Sequence, residues 1–200
     1  YSKDAIRTWD IIDLTGKMTA DGKLECSLPA GRWRIYRFGW SITGKGNHPA
    51  SPEATGLEVD KLDPDAWMRY FHTYVDLYKE AAGGMLGEKG IRYLLVDSYE
   101  AGSYTWTPKL AEEFKARRGY DLLPWLPVLA GEIIGSSRTS ERFLWDWRRT
   151  LGELFCENYD RIDKIVNEYG LAGRYTESQE SGRAYTGDGM DPKIKATVPM

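Results

Sequence analysis

Ile91-Arg92-Tyr93-Leu94-Leu95-Val96-Asp97-Ser98-Tyr99-Glu100 is an almost unbroken apolar run that ends abruptly on acids. Runs of this kind, apolar on both faces and preceded by a helix, belong to parallel sheets rather than to half-exposed antiparallel ones. Upstream, Asp63-Pro64 has the form of a helix start, with Asp63 as N-cap and Pro64 at the first helical position. Trp67, Tyr70, Phe71, Tyr74, Leu77 and Tyr78 then recur at helical spacing until Gly83-Gly84. Downstream, a helix is expected from Pro108 to Arg118, closed by Gly119, and Leu123–Gly131 reads as a proline-punctuated connector. The longest helix is expected from Ser140 to about Tyr169, on the three- and four-residue steps from Leu144 to Val166. A short strand from Leu171 to Thr176 follows, ending at Glu177, and the remainder reads as loop.

This order of helices and strands implies parallel βα units. The fold expected is α/β, part of a (β/α)8 TIM-type barrel. A short antiparallel β segment over residues 1–32 leads into it, and 33–200 form the partial barrel. The N-terminal strands are expected at Thr8–Leu14, at Lys23–Leu28 after the Asp21-Gly22 turn, and at Trp33–Trp40. Parallel-type strands near 35, 94 and 173 cannot close an eight-stranded barrel. The chain opens on Tyr1 and stops at Val198-Pro199-Met200, so the sequence reads as a fragment whose parent chain supplies the rest.

Composition narrows the function. In 200 residues, 42% are hydrophobic and 28% charged, the balance of a globular domain. A net charge of -3 argues against a nucleic-acid partner, and no apolar run is long enough to span a bilayer. Cys26 and Cys156 match no metal or redox spacing and read as two buried free thiols rather than a disulfide. The 8 Trp and 13 Tyr are the informative excess, because flat aromatic faces suit both protein cores and the apolar faces of sugar rings.

The candidate chemistry sits where strands end. Asp97 and Glu100 follow one strand and Glu177 the other, and barrel active sites lie at the C-terminal ends of strands. Glycoside hydrolysis needs a protonated carboxyl to protonate the leaving oxygen and an ionised one to activate water or attack the sugar. Glu100 and Glu177 are the catalytic candidates, with Glu180 close enough to compete with Glu177. Asp97, whose side chain is shorter, reads as a substrate contact. Strand-end acids also cap helices or pair with arginine, so both readings stand at this level. Trp106 reads either as a sugar platform or as a packing residue where the next helix begins. Asn47, His48 and Glu53 gather hydrogen-bonding groups in a long loop and are candidate substrate contacts. Neither a lipase-type serine motif nor a nucleotide-binding glycine motif is present.

Asn47-His48-Pro49-Ala50-Ser51-Pro52-Glu53-Ala54-Thr55-Gly56-Leu57-Glu58-Val59-Asp60-Lys61-Leu62 resembles a stretch typical of glycoside hydrolase family 106, the α-L-rhamnosidases. So do Asp97-Ser98-Tyr99-Glu100, Trp106-Thr107, Arg118-Gly119-Tyr120-Asp121, Leu126-Pro127 with Gly131, and Phe143-Leu144-Trp145-Asp146. Tyr104-Thr105 depart from the Gln-Asn that the family often shows before Trp-Thr. The resemblance implies a large bacterial enzyme, periplasmic or extracellular. It would hydrolyse terminal α-L-rhamnose with inversion on a (β/α) barrel, assisted by calcium. It also implies that Glu100 is the general acid and that the base lies further along the chain. Glu177 would then be a substrate or calcium contact. Read from the residues alone, Glu177, Glu180 and Asp188 lie within one stretch and offer oxygen donors to calcium, Glu177 and Asp188 being the metal candidates, or else form a solvated acidic loop. A noncatalytic carbohydrate-binding module is the competing class, distinguished by needing aromatics but no paired carboxylates.

Overall fold

The computed structural model describes residues 5–97, 102, 104–176 and 189–200. The chain is α/β and divides into two units, residues 1–41 with 110–147 and residues 42–109 with 148–200.

The second unit holds the sheet. Helix α1 (Pro64–Ala81) starts as expected: the Asp63 carboxylate accepts the Asp65 N–H at 2.9 Å, and Pro64 gives up only an amide that no helix would use. Trp67, Phe71 and Val75 form its buried stripe, and Gly83 and Gly84, both with positive φ, end it. Strands β1 (Tyr93–Val96) and β2 (Gly173–Thr176) pair in parallel, Tyr93 opposite Gly173 through Val96 opposite Thr176. Helix α3 (Ser137–Glu168) leads into β2, and Leu151, Leu154, Phe155, Tyr159, Ile162, Ile165 and Val166 are its buried residues in this unit. Beyond them, helix α4 (Asp191–Ile194) and strand β3 (Val198–Pro199) complete the sheet in the order β1-β2-β3, all parallel. The Lys195–Asp160 ion pair at 2.8 Å fastens the end of α4 to α3.

Two kinds of charge are buried in this unit. Arg174 on β2 has no exposed surface; its guanidinium lies 2.6 Å from Asp163 of α3 and over the Tyr159 ring. The Lys61 side chain, 13% exposed, reaches Glu58 at 2.6 Å and lies over the rings of Trp67 and Tyr104. Burial pushes the Lys61 ammonium below the usual lysine range, partly offset by Glu58.

In the first unit, helix α2 (Leu110–Arg118) ends at Gly119, and a 3-10 run over Leu123–Ala130 carries the prolines. Phe114, Phe143 and Trp125 meet in one aromatic cluster beside the buried Leu110, Leu122 and Ile134.

Four sequence expectations need correction. The two cysteines, expected buried, are exposed (Cys26) and half-buried (Cys156). The N-terminal antiparallel strands are not formed among the described residues: Thr8–Asp10 and Thr15–Lys17 are 3-10 turns, and one antiparallel bridge joins Met18 to Leu24. Local bonds form instead: the Asp13 carboxylate accepts the Thr15 N–H at 2.8 Å, and the Arg7 side chain donates to the Asp10 carboxylate at 2.7 Å. Trp33–Trp40 runs without a ladder partner, and Trp33, Ile35, Phe38 and Trp40 are exposed. Alternation alone cannot make a strand; a neighbour must supply the hydrogen bonds. Finally, the stretch expected as loop carries helix α4 at Asp191–Ile194 and the third strand at Val198–Pro199, both too short for periodicity to reveal.

The packing gives two expectations for denaturant unfolding. Ile162→Ala, at a position with 0% exposure, should cost about 2–5 kcal/mol, while Leu77→Ala, 61% exposed, should stay within about 0.5 kcal/mol. Glu58→Gln should cost about 2–3 kcal/mol, below the value for a fully buried pair because Asp60 still faces Lys61. Replacing both partners, Glu58→Leu with Lys61→Met, should cost less than Glu58→Gln alone.

Candidate active site

The in-register pairing of β1 with β2 ends both strands at one level, with Val96 opposite Thr176. Asp97 follows β1 directly and is exposed. Glu100, Glu177, Glu180 and Asp188 lie outside the described residues. Leu94 and Val96 are half-buried on the sheet face that also carries Arg174, and Tyr93 and Leu95 on the opposite face are exposed.

The 47–56 loop is closed by Asn47. Its backbone N–H donates to Gly56 O at 3.0 Å, its side-chain amide donates to Ala54 O at 3.0 Å, and its side-chain oxygen accepts the Gly56 N–H at 2.7 Å. Beneath that ring, Gly46 bridges Leu57 in antiparallel fashion and the Glu58 N–H donates to Lys45 O at 2.9 Å. His48, joined to Pro49 by a cis peptide bond, is exposed on this loop, as is Glu53 in the 3-10 turn Pro52–Ala54. Hydrogen bonds from its own backbone N–H and from the Ser51 hydroxyl hold the Glu53 carboxyl below the usual range.

Residues 57–60, which follow this loop, also hold the segment after β1. The Tyr104 hydroxyl donates to Val59 O at 3.3 Å, and the Thr107 hydroxyl donates to the Asp60 carboxylate at 2.9 Å. Both Tyr104 and Thr107 are buried. Burial, with Glu58 and Asp60 adding to it, pushes the Tyr104 phenol well above its ordinary range. Between these two anchors lies Trp106, half-buried, whose indole N–H is buried and has no acceptor among the described residues.

Residues 57–60 therefore tie the loop bearing Asn47, His48 and Glu53 to the strip bearing Trp106. Sequence reasoning missed the parts that do the tying: Asp60, Thr107, and the Glu58–Lys61 pair. Asp60 and Thr107 find each other across 47 residues, and the Glu58–Lys61 pair, three residues apart, meets Tyr104 only through the fold, so spacing along the chain does not reveal either role. A separate groove of about 330 Å³, lined by His72, Lys79, Leu86, Glu168 and Tyr169, contains none of the candidate residues. It lies where α3 and the chain from α1 lead into the starts of β2 and β1, away from the C-terminal strand ends where α/β sheets bind ligands.

Among the described residues, no group of three His, Cys, Asp or Glu side chains is placed to hold a metal ion. The acids proposed for calcium, Glu177 and Asp188, supply oxygen donors, the chemistry a hard cation takes. No helix of the described residues is long and apolar enough to cross a membrane.

Known proteins similar to this chain indicate its family. The rhamnosidase from Novosphingobium sp. PP1Y has a similar structure, with a TM-score of 0.86 and 46% sequence identity over 95% of this chain and 18% of that one. A Formosa agariphila protein described as "Putative beta-glucuronidase" is 41% identical over 158 residues, 79% of this chain and 14% of its own length. The chain thus spans less than a fifth of each of these relatives. The family model for alpha-L-rhamnosidase matches residues 1–200, and the chain belongs to that family, glycoside hydrolase family 106.

Proposed function

We propose that the full-length protein hydrolyses terminal α-L-rhamnosyl linkages with inversion, on a (β/α) barrel to which the parallel strands contribute. The observation that carries this reading is the level at which β1 and β2 end, since the sequence places Asp97 and Glu100 just after one and Glu177 just after the other. Barrel closure is supported by the sheet itself. Parallel sheets are stable with both faces covered, and here the face of Tyr93 and Leu95 is exposed. On this reading residues 1–32 lead into the barrel and 33–200 belong to it.

In the proposed mechanism, Glu100 protonates the glycosidic oxygen as its bond to the anomeric carbon breaks. A second carboxylate takes a proton from the water that attacks the opposite face, and it is Glu177 or an acid elsewhere in the full-length protein. An inverting pair stands roughly 6.5–9.5 Å apart to leave room for that water. His48, Glu53, Asp97 and Trp106 face the sugar, and Asn47 contributes through the loop it closes. The family resemblance extends the reading to a periplasmic or extracellular location.

Glu100→Gln in the full-length protein should lower turnover of unactivated rhamnosides by about 10²–10⁴-fold and spare substrates with good leaving groups. An equal loss on both, or none, would refute the assignment of the acid. An aryl β-glucuronide assayed in parallel separates the two activities named for the relatives. Binding of rhamnosides without any turnover would favour the carbohydrate-binding module, and residues 1–200 on their own should not turn over.

Calcium is the proposed cofactor, held by Glu177 and Asp188, where it would fix the loop and screen its acids. Chelation with EGTA should lower activity of the full-length protein and added calcium restore it; indifference to chelator, with no metal found by elemental analysis, would remove calcium from the proposal.

A further inference from the structure

Trp106 is held against its own hydrogen-bonding preference. Among the described residues its buried indole N–H has no acceptor, and an unsatisfied buried polar group has to be held in place by what surrounds it. Those surroundings are visible on both sides. The Thr107 hydroxyl, one residue on, is fixed to the Asp60 carboxylate at 2.9 Å, and the Tyr104 hydroxyl, two residues back, is fixed to Val59 O at 3.3 Å. Asp60 is itself pinned, its other carboxylate oxygen accepting the Leu62 N–H at 2.9 Å at the threshold of α1. The carbonyl of Lys61 accepts from Asn158 of α3, and Tyr104 lies under the Lys61 ammonium. The strip 104–107 is thus bolted to a stretch that is in turn bolted to two helices.

We infer that Asp60 and Thr107 are positioning residues that act through Trp106, holding its ring as a rigid sugar-binding surface. This rests on the glycosidase reading above. Neither residue need touch substrate. Their work is to keep one bulky side chain from rotating to find an acceptor, so that binding a sugar does not have to order it.

The test uses the full-length protein and an activated aryl α-L-rhamnoside. Thr107→Val removes the hydroxyl at nearly constant volume, Thr107→Ser keeps it, and Asp60→Asn weakens the acceptor. The expected result is a KM raised about tenfold in Thr107→Val with kcat changed less than about twofold, and near wild-type KM in Thr107→Ser. Trp106→Ala should raise KM at least as much, and adding Thr107→Val to Trp106→Ala should raise it no further, because the two act as one unit. A residue needed only for folding would instead lower the melting temperature and the yield of active protein and leave KM alone. That outcome, or full additivity of the two substitutions, or an unchanged KM in Trp106→Ala, overturns the inference while the wild-type enzyme still turns over. A wild-type protein without activity on α-L-rhamnosides overturns the functional reading and this inference together.

Discussion

The in-register parallel contact between Tyr93–Val96 and Gly173–Thr176 is the constraint on which the rest of this structure depends. It joins chain segments separated by two helices and sets both strand ends at one height. The contact needs close approach on its far side, where β3 adds to β2. A side chain at Gly173 would run into the Thr197 side chain, whose hydroxyl accepts the Arg174 N–H at 3.2 Å. Glycine here is a packing requirement, since only a missing Cβ leaves Thr197 its place.

From that contact the charges follow. Register puts Arg174 on the face that turns toward α3, and a guanidinium without exposed surface is tolerable only with a partner. Asp163 supplies one at 2.6 Å and the Tyr159 ring another. The Glu58–Lys61 pair does the same for the loop side of the unit, where it sits against Trp67 at the first turn of α1. Polar groups buried in this way specify a geometry more than they add stability, because each is satisfied only in one arrangement. The candidate site inherits that arrangement: the 47–56 loop and the Trp106 strip both hang from residues 57–60.

Helices were the legible part of the sequence. The Asp63-Pro64 start and the Gly83-Gly84 stop of α1 are local chemistry, written in neighbouring residues and found where expected. Helix α3 begins slightly earlier than its apolar stripe, at Ser137, because the Ser136 hydroxyl accepts the Thr139 N–H and adds a turn that hydrophobic spacing cannot show. Strands were less legible. The apolar run 91–96 and the short 171–176 segment each gave a real strand, trimmed at the start. Trp33–Trp40 has the better alternation and forms none, while Val198–Pro199 has no pattern and does.

Family membership, the start and stop of α1, and the acids placed after the two apolar runs were written in the residues themselves, because caps, glycine stops and motif residues act through near neighbours. Tertiary structure alone decided which extended segments became strands, that Asn47 spends its side chain closing its own loop, and that Asp60 meets Thr107. The strands and the Asp60–Thr107 bond depend on partners far away in the chain, and the Asn47 bonds on a turn that brings Ala54 and Gly56 back to it; a one-dimensional pattern records a group that needs a partner without recording which partner it will find.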